Sequence, residues 1–148
     1  INTMSEKNTS IIDKLNLIKN LILLGKSDDN LTEREIDIIT QIAKHHQLSY
    51  KDIDYIVSNT DQIPFSIPAT FTERLAALYD LVVLMVSDFD IHESEVNFCI
   101  DLAKKYEFNP QIIEELIEDV LSFIVDGKEC DEVMDYLIKY AHPKPNLN

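Results

Sequence analysis

Two stretches of this chain align without a gap, Leu21 falling on Leu81 and each later position on its counterpart 60 residues downstream. The first reads LILLGKSDDNLTEREIDIITQIAKHH and the second LVVLMVSDFDIHESEVNFCIDLAKKY. Identities fall at Leu21/Leu81, Leu24/Leu84, Ser27/Ser87, Asp28/Asp88, Glu33/Glu93, Glu35/Glu95, Ala43/Ala103 and Lys44/Lys104. Leu15/Leu75 and Ile53/Ile113 extend the match, while Ile36/Val96, Ile42/Leu102 and Leu48/Phe108 keep apolar character. Any two amphipathic helices align some leucines. Matching Ser-Asp and Glu-x-Glu in the intervening loops is a stronger constraint. Two like helix-loop-helix units must bury their apolar faces on each other, which predicts a pseudo-twofold helical bundle.

Helical periodicity runs through most of the chain. Ile11, Leu15, Ile18, Leu21, Ile22 and Gly25 predict a helix over 10–26, closed by turn-favouring Ser27-Asp28-Asp29-Asn30. Thr32-x-x-Glu35 reads as a capping box opening a second helix, with Ile36, Ile39, Ile42 and Ala43 inward. Ser49 caps a third that carries Ile53, Ile56 and Val57. Pro64 and Pro68 make 60–69 a connector, whose Phe65, Ile67 and Phe71 either pack inward or form a docking patch. Thr70-x-x-Glu73 opens a helix to Val86 with Leu75, Leu78, Leu81, Val82 and Met85 inward. Further helices are predicted over 92–106, from Asn109-Pro110 to Val125, and over 130–141. No stretch alternates with period two between hairpin turns. The expected fold is all-α: a single-domain bundle of about seven helices, repeat 1 at 13–57 and repeat 2 at 73–117. A terminal segment at 1–9 and a tail at 143–148 flank the 10–142 domain.

Charge narrows the partners. With 13 Lys+Arg against 27 Asp+Glu the net charge is −14, while 45% apolar residues supply an ordinary core. Such a chain is repelled by nucleic acid phosphates and by anionic lipid. It favours divalent cations and basic protein surfaces. The longest apolar stretch, Leu81 to Val86, is far below the ~20 residues of a spanning helix, so no membrane insertion is expected. Ile1 to Thr3 read as an addition ahead of a start at Met4, with no leader pattern. Cys99 and Cys130 lack CxxC spacing and read as thiols in a reducing, cytoplasmic setting.

Each repeat presents an acidic loop between helices. Asp28 with Asn30 and Glu33 or Glu35, and Asp88 with Asp90 and Glu93 or Glu95, supply part of the oxygen set that a hard cation such as Ca²⁺ takes. Neither loop is an EF-hand. Helix capping competes as an explanation: Glu35 completes one box, and Asp90 with Glu93 a second. Capping leaves Asp28 and Asp88 unexplained, because both follow a helix C-terminus, where the dipole disfavours an anion. Other constellations are weaker. His45 and His46 point about 100° apart on a helix, and their counterparts Lys105-Tyr106 suggest a surface position. His92, Glu95 and Cys99 share a stripe, but Cys99 matches inward-facing Ile39 and reads as a core thiol. GxSxG, P-loop and HExxH are absent.

The pattern of a long apolar helix, Asp28 or Asp88, an apolar residue (Leu31, Ile91), then Glu35 or Glu95 resembles the TerB-like domain of tellurite-resistance proteins. That domain's loop reads Ala-Asp-Gly, apolar residue, Glu. The resemblance spans Ile11 to Ile117 in two copies. It departs where Ser27 and Ser87 replace the alanine, and Asp29 and Phe89 the glycine. It implies an all-helical, non-enzymatic protein-interaction module whose acidic loops meet a divalent cation. It also implies work in stress, metal-resistance or defence complexes, with peripheral membrane association through a partner. The alternative is an acidic binder or inhibitor of a basic protein, with no metal role; an enzyme would need a pocket holding a perturbed carboxylate.

Overall fold

Two strongly apolar segments of the sequence form the two central helices of the molecule. In a computed structural model, which describes residues 11–27, 31–87 and 90–141, these are α1 (Ile11–Gly25) and α4 (Phe71–Met85). In α4, Leu75, Ala77, Leu78, Tyr79, Leu81, Val82, Leu84 and Met85 are all buried. A helix apolar on so much of its circumference must be covered on several sides. Around α1 pack α2 (Glu33–His45) and α3 (Tyr50–Ser58); around α4 pack α5 (Glu93–Lys105), α6 (Ile113–Val125) and α7 (Cys130–Leu137). The halves join where α1 lies on α4, with α2 also touching α4 and α5 touching α1. Short 3₁₀ turns at Thr60–Gln62 and Ile138–Ala141 complete the described residues, which form one all-α domain of seven α-helices without strands.

Local chemistry sets the helix ends. The Thr32 hydroxyl accepts from Glu35 N (3.1 Å) while Glu35 Oε1 accepts from Thr32 N (2.9 Å). Ser49 and Asp52 make the same reciprocal pair. At the C-terminus of α2, Gln47 adopts φ 60° and Leu48 N donates to Ala43 O at 2.9 Å. After α5, Glu107 has φ 67° and Phe108 N reaches Ala103 O at 3.1 Å. Both are Schellman closures with a buried apolar residue behind the left-handed one.

Several expectations need correction. Ile36 is 45% exposed, because Glu35 turns inward to cap and takes the buried position on that side of α2. Val57 and Ile11 also face outward. Asn109 starts a turn rather than a helix: its Oδ1 accepts from Gln111 N, and α6 begins only at Ile113. The helix expected over 130–141 tightens into 3₁₀ geometry after Leu137. The terminal segments 1–9 and 143–148 lie outside the described residues.

The connector is held rather than free. Asn16 Nδ2 donates to Pro64 O (2.8 Å), Lys19 Nζ to Ile63 O (2.8 Å) and Arg74 Nε to Pro68 O (2.7 Å). An extended segment rich in proline has no ladder to satisfy its carbonyls, so side chains from α1 and α4 do it. Ile63 and Pro68 are buried and Phe71 packs edge-on against Phe108, whereas Phe65 and Ile67 stay exposed.

Candidate functional site

In the acidic loops, two glutamates are committed to capping the helices that follow. Glu35 and Glu95 are each 1% exposed. Glu35 Oε1 accepts from both the N–H and the hydroxyl of Thr32 (2.9 and 3.0 Å), and Glu95 Oε1 from His92 N (3.1 Å). The cap of α5 therefore pairs His92 with Glu95, not Asp90 with Glu93, in the same register as Thr32 with Glu35. Glu33, Glu93 and Asp90 are exposed, and Asp90 Oδ2 lies 3.8 Å from His92 Nε2. Asp28 and Asp88 lie outside the described residues. Among the described residues no three His, Cys, Asp or Glu side chains converge as a metal site.

Cys99 is a core thiol, fully buried, and burial followed by the nearby Glu95 carboxylate pushes it up to about 12. His92, Glu95 and Cys99 thus share a stripe without forming a ligand set.

The structure assembles a second constellation that no sequence pattern announced. The C-terminal end of α2, the middle of α4 and the approach to α7 enclose a groove of about 430 Å³. Ile42, Ala76 and Val83 give it apolar walls; His46, Tyr79, Asp80, Lys128, Glu129, Cys130 and Asp131 supply polar groups. His46 Nε2 is buried, has no hydrogen-bond partner among the described residues, and stands 3.8 Å from Asp80 Oδ2. That separation is beyond a direct hydrogen bond. His46, Ala76 and Asp80 also line a smaller cavity of about 80 Å³, shared with Tyr106 and Asp13, so they form the partition between the two spaces.

The groove's field is negative. Burial, then Asp80 and Asp131, push the Cys130 thiol up to about 12; burial, then Cys130, Glu132 and Glu129, do the same to the Tyr79 phenol. The Tyr79 hydroxyl donates to Lys128 O, anchoring the α6–α7 turn to α4. Cysteine, histidine and aspartate here suggest a nucleophile and its base, but a reactive thiol needs a lowered pKa in positive surroundings. Cys130 has the opposite environment. What the groove favours is a positively charged group with an aliphatic stem.

One clue to this place was present in the sequence and pointed the wrong way. His46 aligns with Tyr106, which suggested a surface position, yet Tyr106 is 1% exposed and its hydroxyl accepts from Asn20 Nδ2 at 3.4 Å. Tyr106 is buried and the His46 imidazole is half-buried, so neither is a surface side chain. Nothing in the sequence tied Asp80 or Cys130 to it.

Among the described residues no helix is long and apolar enough to cross a membrane. No family model matches the chain, and neither a curated protein nor a solved structure does.

Proposed function

We propose that this chain is a non-enzymatic, TerB-like protein-interaction module of two related helix-loop-helix units, whose acidic loops respond to a divalent cation in a cytoplasmic stress, metal-resistance or defence system. The observation that supports it most is the equivalence of the two loop settings. Before the loops, Lys26 N donates to Ile22 O (3.0 Å) and Val86 N to Val82 O (3.1 Å), and Ser27 N and Ser87 N reach Leu24 O and Leu84 O, both at 3.1 Å. Behind the loops, Glu35 and Glu95 hold the next helix starts, and the left-handed Gln47 and Glu107 close those helices. A loop framed twice in one way is a reusable device. Because Glu35 and Glu95 are engaged as caps, Asp28, Glu33, Asp88, Asp90 and Glu93 are the residues left to meet an ion, with water completing the shell.

Calorimetric titration of EDTA-treated protein with Ca²⁺, then Mg²⁺ and Zn²⁺, tests this. Saturable Ca²⁺ binding, with a matching rise in thermal stability, is expected. Asp28→Asn with Asp88→Asn should abolish both; an unchanged response overturns the assignment.

A second reading, an acidic binder of a basic protein without a metal role, is favoured by the negative groove at His46 and Asp80. It expects salt-sensitive association with a cationic partner.

A further inference from the structure

Asp80 keeps 28% of its side chain exposed and lines the same groove as Glu129 and Asp131, while the neighbouring His46 Nε2 is buried. His46 Nε2 lies 3.8 Å from Asp80 Oδ2, so the imidazole walls the groove beside that carboxylate. We propose that the groove between α2, α4 and the start of α7 receives an arginine or lysine side chain of a basic protein segment, its cationic head donating to the Asp80 carboxylate. This rests on the second reading above and names its contact point.

The groove suits this occupant at each level. The head meets the half-buried Asp80 carboxylate, a charge-assisted acceptor. The stem lies along Ile42, Ala76 and Val83. Asp131 and Glu129 at the rim add attraction, against Lys128 as the opposing cation. Only a cation matches all of these: an anion would meet three carboxylates, and a neutral apolar group would leave Asp80 desolvated without a donor.

The test titrates the full-length, isotopically labelled protein with a short capped arginine–alanine peptide at low salt, following amide shifts. Its twin carries citrulline, isosteric and uncharged, in place of arginine. Shifts should concentrate at residues 41–46, 76–83 and 128–131, and citrulline should weaken binding about tenfold. Asp80→Asn should give a similar loss, His46→Gln a smaller one, and Asp101→Asn, an exposed charge on α5, almost none. Thermal melts verify that each variant folds, and the citrulline comparison stands independently of any variant. Binding that is equal for the citrulline twin, or shifts that fall on other acidic faces while Asp80→Asn binds as the parent does, overturns the groove and leaves the basic-partner reading intact. Failure of the arginine peptide to bind anywhere at low salt overturns that reading together with the groove.

Discussion

Glu35 and Glu95 show how one buried carboxylate can be mistaken for another. Each is almost fully covered, yet each oxygen accepts from a backbone N–H that would otherwise be orphaned at a helix start. Glu35→Ala removes that acceptor and should cost about 1–3 kcal/mol in urea denaturation. Glu35→Gln, also a capping-box residue, should cost less and leave any Ca²⁺ affinity unchanged; a lost affinity would make Glu35 a ligand after all. Cys130 supports a second prediction. With the thiol held near 12 by burial and then Asp80 and Asp131, alkylation of the native protein at pH 8 should run about a thousandfold slower than for an ordinary thiol. Rapid single-site labelling would contradict the negative groove.

At the scale of the elements, the backbone is strained at the left-handed closures of α2 and α5. Glu107 sits at φ 67° without being glycine, a conformation that disfavours a Cβ. Glu107→Gly should stabilise the fold by up to about 1 kcal/mol after the glycine's greater unfolded freedom is counted, raising the denaturation midpoint. A drop in stability would show that the closure depends on the side chain. The connector depends on a polar seam instead: Asn16 donates to Pro64 O and accepts from Asn20 Nδ2 at 3.1 Å. Asn16→Ala strips both partners inside the protein and should cost about 1–3 kcal/mol, with faster amide exchange across 63–69.

For the whole molecule, charge and burial set the response to solution conditions. Cys99 and Tyr106 have pKa values near 12 in the fold, both through burial, against ordinary values of 9.0 and 10.0. Raised values for groups that ionise to anions mean that the unfolded chain loses those protons first. Their contribution to stability is therefore complete below pH 9 and disappears progressively between 9 and 12. Cys99→Ala should flatten that alkaline slope in denaturation curves taken across the range, and an unaltered slope would place the loss elsewhere. With a net charge of −14, self-repulsion opposes the compact state, so moderate NaCl should raise the melting temperature through screening.

Fold class, helix order and most of the core were readable from the residues, because a helix announces itself locally: the 3.6-residue apolar period, Thr32-x-x-Glu35 and Ser49 each act within one turn. The same locality explains the errors. Periodicity places Ile36 inward, but the buried place on that side of α2 goes to Glu35, whose capping hydrogen bonds make its burial tolerable. Asn109 signalled a start, and only packing decided that a turn came first. The acidic loops were visible because their residues are neighbours in the chain. The groove was not, because His46, Asp80 and Cys130 lie on three elements and meet only when α2 and α7 pack on α4. Short-range backbone chemistry is written in sequence neighbours, whereas a site between helices exists only after long-range packing brings distant side chains together.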